Sequence, residues 1–114
     1  MDFSPEHRPW GRYQVLQSSE SHQVKCIWVA PGKRLSYQRH KFRAEHWFVI
    51  SGIAEVTLDG SVIELSPGMS IDIPQGQLHR IAAITSEVVF IEVQTGTYFG
   101  EDDIERVEDD FGRN

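Results

Sequence analysis

Gln38 and His40 stand two residues apart, Glu45 follows five residues later, and His79 lies far down the chain behind the turn residues Pro74-Gln75-Gly76. On an extended segment a two-residue spacing puts Gln38 and His40 on one face. Imidazole nitrogens combined with carboxylate and amide oxygens suit a borderline divalent ion. Two His and one Glu, with positions left for water or substrate, make the ligand pattern of an open catalytic metal site. His7 and His22 sit in polar, irregular context and read as ordinary hydrogen-bonded residues.

The segment carrying the first three of these residues is basic in an acidic protein. The formal net charge is −6, which argues against general nucleic-acid binding, yet five of the eleven Lys and Arg fall within residues 33–43. That juxtaposition raises a second possibility, an anion held beside a metal. The opposite bias appears at residues 101–110, which hold seven of the seventeen acidic residues and read as a solvated face.

The elements that must position these residues are short strands. Residues 11–17, 23–30, 46–51, 53–58, 61–65, 78–83 and 87–94 are strand-like, with 34–40 as a further candidate and a short strand within 69–74. Turn signals separate them, Asp59-Gly60 being the strongest hairpin signal. Many short strands at this spacing predict an all-β antiparallel sandwich or barrel. The acidic tail from residue 100 is expected to form a short helical turn over 102–107 or to lie across the barrel. At 114 residues the chain is read as one domain, 1–114, with a hydrophobic core large enough to need no staples. Cys26 has no partner for an internal disulfide and, within VKCIWVA, reads as a small core residue. No apolar run approaches the ~20 residues of a membrane span. The N-terminal residues lack the features of a signal peptide, so a cytoplasmic protein is expected.

Larger spacings sharpen the metal reading. Gly32 is followed by five residues, Gln-x-His, four residues, Glu45, six residues and Gly52, while Gly68 is followed by five residues and then Pro74-x-Gly76-x-x-His79. This resembles the two cupin motifs, with Gln38 in place of the usual first His and Ala83 in place of a common Asn. The segments RPWGRY, PGKRLSYQRHKFRAEHWFVISG, IPQGQLHRI and IEVQTGTYFGEDDIERVEDDFGR, in order along nearly the whole chain, resemble the type II mannose-6-phosphate isomerase cupin domain. Tyr37 stands where that family usually has Leu. Elsewhere the domain is joined to a mannose-1-phosphate guanylyltransferase; these residues show no Gly-rich nucleotide-binding segment, and guanylyltransferase activity is not expected.

The resemblance implies a cupin barrel (a double-stranded β-helix or jelly roll) and one divalent metal held by Gln38, His40, Glu45 and His79. Zinc is named first, with Mn, Fe, Co and Ni tolerated by the same donors. It also implies a sugar-phosphate substrate and a homodimer, to which an N-terminal arm adds a strand. The implied activity is metal-dependent interconversion of mannose 6-phosphate and fructose 6-phosphate. The alternatives are a non-catalytic sugar- or sugar-phosphate-binding cupin and another small-molecule cupin enzyme such as an oxygenase. The basic run favours an anionic substrate.

Isomerisation through an enediol needs a polarised carbonyl and a group that moves a proton. Glu92, flanked by apolar residues in VVFIEVQ, is the first proton-transfer candidate, since a carboxylate in such a strand needs a partner or a role. Lys33, His46 and the run Glu101-Asp102-Asp103 are others. A phosphate group needs a cationic clamp, and Lys33, Arg43 and Arg80 are the candidates. Strand alternation places Arg80 opposite to His79, where an acidic partner would also suit it.

Overall fold

A computed structural model describes residues 4–113, which form eleven strands. They are β1 (Glu6–Arg8), β2 (Gly11–Ser18), β3 (His22–Val29), β4 (Tyr37–Arg39), β5 (Arg43–Ser51), β6 (Ala54–Leu58), β7 (Ser61–Leu65), β8 (Ser70–Ile73), β9 (His79–Ala83), β10 (Val88–Gly96) and β11 (Glu105–Glu108). Two antiparallel sheets face each other, one in the order β1-β2-β3-β10-β5-β8 and the other β11-β4-β9-β6-β7. The all-β expectation holds. No helix long and apolar enough to cross a membrane occurs among the described residues.

Local chemistry explains the turns. At the β6–β7 hairpin Asp59 and Gly60 both have positive φ (44° and 86°), the backbone that a two-residue type I′ turn requires. Gly76, at φ 82°, shapes the turn ahead of His79, and its N–H donates to the His40 carbonyl at 2.8 Å. One glycine therefore presents one imidazole and ties down the backbone of the other.

Alternation along each strand builds the interior, and the interior changes character part-way along. On β10 the inward residues are Val88 and Phe90, then Glu92 and Gln94. On β5 they are Val49 and Trp47, then Glu45 and Arg43; on β3, Val29 and Ile27, then Lys25; on β9, Ala83 and Ile81, then His79. Strand pairing keeps these switches level: Glu92 lies opposite both Lys25 and Trp47, and Gln94 opposite Glu45. One end of the barrel is thus a packed apolar core around Trp47 and Phe90. The other end encloses a polar chamber.

Three expectations need correction. Residues 102–107 form no helical turn: Glu105–Glu108 is a strand paired with β4, the edge of which would otherwise be open. Arg39 fastens it through a two-pronged contact with Glu105, at 3.0 Å on each oxygen. The 34–40 segment is regular only over Tyr37–Arg39, with a single bridge from Arg34 to Ala82 before it. Cys26 is half-buried on the outer face of β3, opposite Ile91, because Ile27 and Val29 take the inward phase and carry Lys25 with them. At the N-terminus, residues 6–8 pair with β2 of the same chain, and residues 1–3 lie outside the described part.

Candidate metal centre

The structure brings His40, Glu45 and His79 together. One ligand atom from each lies within 4.8 Å of the others, and all three residues are buried. His40 Nε2 is 3.3 Å from Glu45 Oε2, and His79 Nε2 is 3.6 Å from Glu45 Oε1. Ligands each ~2.1 Å from one ion stand roughly 3.0–3.5 Å apart, so these separations fit a shared metal with little adjustment.

The imidazoles are presented in the right tautomer. His40 Nδ1 donates to the Asp103 carbonyl at 2.7 Å, and His79 Nδ1 donates to the Gln77 carbonyl at 2.9 Å. A carbonyl only accepts, so each Nδ1 carries the proton and each Nε2 offers its lone pair. His79 Nε2 is fully buried and has no hydrogen-bond partner. Burial lowers the pKa of both rings, His40 to about 4 with help from the Arg43 charge, so both are neutral at ordinary pH. An orphaned buried acceptor facing a carboxylate, with its ring already oriented, is a donor set that fits a divalent cation.

Gln38 lies directly across from His79 in the β4–β9 pairing, and its amide oxygen accepts from Ser36 Oγ at 2.9 Å. It lines the same chamber as Glu45. Arg43 sits against the group, donating from Nε to Glu45 at 3.1 Å and from Nη1 to the Gly100 carbonyl at 3.3 Å.

Beside this group are three more buried side chains, Trp47, Glu92 and Gln94. The Trp47 indole N–H is shared between Glu45, at 3.1 Å, and Glu92, at 3.0 Å. Gln94 donates to the second oxygen of Glu92 at 2.7 Å. Burial, and then the neighbouring Glu45 charge, push the Glu92 pKa up to about 7. Glu92 is therefore poised to gain or lose a proton near neutrality.

Other sequence candidates are elsewhere. His46 is on the outward face of β5 and pairs with Asp72. Arg80 faces away from His79, as alternation requires: its Nε donates to the Leu35 carbonyl at 3.1 Å, and Glu108 and Asp110 lie 3.7 and 4.0 Å from its guanidinium. Lys33 is exposed beside the Phe111 ring, on the same outer surface as Arg80. Of the three proposed phosphate contacts, only Arg43 lines the chamber. Within the acidic run, Glu101 pairs with Lys25 at 3.2 Å and Asp102 accepts from Tyr98.

Asp103 has a different job. Its carboxylate accepts from the Lys41 and Phe42 amides, both at 2.9 Å, while its carbonyl orients His40. Although burial opposes ionisation, those two amides hold its pKa below the ordinary carboxyl value. Asp103→Ala keeps the carbonyl that orients His40 but frees the Lys41 and Phe42 amides whose clasp fixes that carbonyl in place. It is expected to lower metal affinity roughly tenfold, the low end of the loss when outer partners of a ligand are disturbed. A competition titration against a chromophoric chelator measures it; unchanged affinity would show that the carboxylate clasp does not position His40.

Lys25 is not among the site residues of the sequence reading, and Asp103 enters that reading only as part of an acidic run offered for proton transfer, whereas the structure gives it a positioning role. Lys25 was discoverable, because it stands two before Ile27 and four before Val29 on one strand face. Nothing local singles out Asp103 from its acidic neighbours.

Comparison with known proteins adds the family. The family described as mannose-6-phosphate isomerase C-terminal matches residues 2–109. The chain belongs to that family. Curated relatives that resemble it include an alginate biosynthesis protein, AlgA, from Pseudomonas aeruginosa, 50% identical over 94% of this chain and 22% of its own length. A mannose-1-phosphate guanylyltransferase from Salmonella montevideo is 44% identical over 95% of the chain and 23% of its own length. The chain thus spans under a quarter of the length of these relatives. Among solved structures, oxalate decarboxylase from Bacillus subtilis superposes with a TM-score of 0.83 at 22% identity, over 93% of this chain and 30% of that one. A Klebsiella pneumoniae protein with a double-stranded β-helix domain gives 0.78 at 21% identity, over 93% and 86%. These likenesses establish the cupin, double-stranded β-helix fold.

Proposed function

We propose that the chain is a metal-dependent isomerase that interconverts mannose 6-phosphate and fructose 6-phosphate. The observation that carries this reading is the buried His40–Glu45–His79 group, with its orphaned Nε2, set beside a carboxyl group whose pKa is near 7. Family membership supports the choice of substrate, and the names of the biosynthetic relatives support a role in supplying sugar precursors for polysaccharide. On this reading the protein works in the cytoplasm as a homodimer.

Gln38, His40, Glu45 and His79 would hold the metal, zinc in the first instance. The bound ion would supply Lewis-acid polarisation of the sugar carbonyl and charge stabilisation at the enediolate oxygen. Glu92 takes the proton from one of the two adjacent carbons and returns it to the other. Its raised pKa lets it serve in both directions, and Gln94 and Trp47 hold the carboxyl in place through the transfer. Burial keeps His40 neutral with help from the Arg43 charge, and Arg43 also restrains the Glu45 carboxylate.

A coupled assay for fructose 6-phosphate formation from mannose 6-phosphate, on metal-loaded protein, tests the proposal. Turnover that disappears on chelation and returns with metal is expected. Retained sugar-phosphate binding without turnover would instead identify a binding protein built on the same site.

A further inference from the structure

The chamber beside the metal ligands extends to a wall made by β1, β3 and β11, and there the side chains are cationic. Arg8, Lys25, Arg106 and Arg113 all line it, from separate elements. Bringing guanidinium groups together is unfavourable unless anions compensate. Arg106 shows the strain: burial, then the Arg113 charge, disfavour its ionised form.

The four differ in how their donors are used. Arg113 is paired with Asp109 through a two-pronged contact, at 2.7 and 3.0 Å. Lys25 reaches Glu101 at 3.2 Å. Arg8 donates to the neutral Tyr13 hydroxyl at 3.2 Å and to the His7 carbonyl at 2.9 Å, and Glu6 is 3.9 Å away. Arg106 leaves its Nε–H buried with no acceptor. A buried guanidinium N–H without a partner marks a place where an acceptor belongs. The region already accommodates one anion, since Lys25 and Arg43 hold the Glu101 carboxyl below its ordinary pKa against the opposing effect of burial.

We propose that Arg8 and Arg106, backed by Lys25, form an anion clamp that takes the phosphate group of a phosphorylated sugar at the β1–β3–β11 end of the chamber. The clamp rests on the sugar-phosphate reading of the site and moves phosphate recognition off the basic run at residues 33–43. Arginine forks match the geometry of phosphate oxygens, and a low-dielectric chamber strengthens each contact.

Calorimetric titration of the full chain with inorganic phosphate, metal-loaded and after chelation, tests it. Wild-type protein is expected to bind phosphate in both states. Arg106→Gln and Arg8→Gln are each expected to weaken binding at least tenfold, while Lys33→Gln leaves it unchanged. Arg106→Lys, which keeps a point charge, is expected to bind with intermediate affinity and guards against a folding artefact in the glutamine variant. No phosphate binding by wild-type protein, or equal binding by folded Arg106→Gln, would overturn the clamp. The two proposals fail separately: lost turnover with retained, Arg106-dependent phosphate binding sinks the isomerase and keeps the clamp. Turnover whose KM for mannose 6-phosphate ignores Arg106→Gln sinks the clamp and keeps the isomerase.

Discussion

His79→Ala is expected to yield folded protein that no longer retains stoichiometric metal and whose turnover of mannose 6-phosphate falls by about three orders of magnitude or more, the scale of several kcal/mol of charge stabilisation supplied by a metal. The reason is geometric. The ring is 1% exposed and its Nδ1 is committed to Gln77, so Nε2 has no role except toward Glu45 and whatever Glu45 and His40 share. Removing it leaves two protein donors from the triad, too few for a site of this type. The ring also packs edge-on against Trp47, with centroids 5.4 Å apart, so the alanine variant loses some packing as well. His79→Gln, closer in volume, separates the two effects. Metal content by elemental analysis, read with a melting curve, is the measurement. Normal metal in a folded His79→Ala protein would dismantle the proposed centre.

Glu92→Gln is expected to do the reverse: keep the metal, lose turnover by roughly 10²–10⁴-fold, and stabilise the metal-free protein at alkaline pH. The folded-state pKa of Glu92 is raised from 4.5 to about 7. Between those values the folded chain holds a proton that the unfolded chain has released, so stability falls as pH rises through this window. Above pH 7 the penalty is complete, on the order of 3 kcal/mol for a displacement of this size. Glutamine cannot ionise and can still accept from Trp47. The variant should therefore melt higher than wild type at pH 8, with the difference shrinking toward pH 4.5. A wild-type-like stability profile would mean that Glu92 is not held protonated, and unaltered turnover would take proton transfer away from it.

The fold and the site were legible to different depths. Turn chemistry and alternation located most strands, because Asp59-Gly60, the Gly and Pro pairs and the short apolar runs act locally. The cluster of His40, Glu45 and His79 was legible through spacing, since two strands and two tight turns fix where those residues emerge. The cations were not. Lys33, Arg34, Arg39, Lys41 and Arg43 look alike in the sequence, yet only Arg43 shares the inward face of β5 with Glu45. Proximity along the chain favoured Lys33, whereas register decides which charges meet. Lys25 was hidden in an apolar run whose phase is set by Ile27 and Val29. Arg106 lay in a tail whose acidity suggested solvent; its strand character comes from the open edge of β4, a tertiary circumstance invisible in local composition.

The level switch from apolar to polar inward residues on β3, β5, β9 and β10 has a kinetic consequence. Glu45 belongs to the larger sheet, and His79 to the smaller, with His40 just beyond β4 of that sheet. An ion held by these three residues would join the sheets at the end where no apolar core holds them. Splaying the sheets there and releasing the ion would then be one event, and loading the site would slow opening far more than it alters the packed end. Hydrogen exchange on the loaded and chelated protein should differ most at the amides of Lys41 and Phe42, which Asp103 clasps, and least around Phe90. In such a barrel the rate of metal loss would set how long the polar end stays closed.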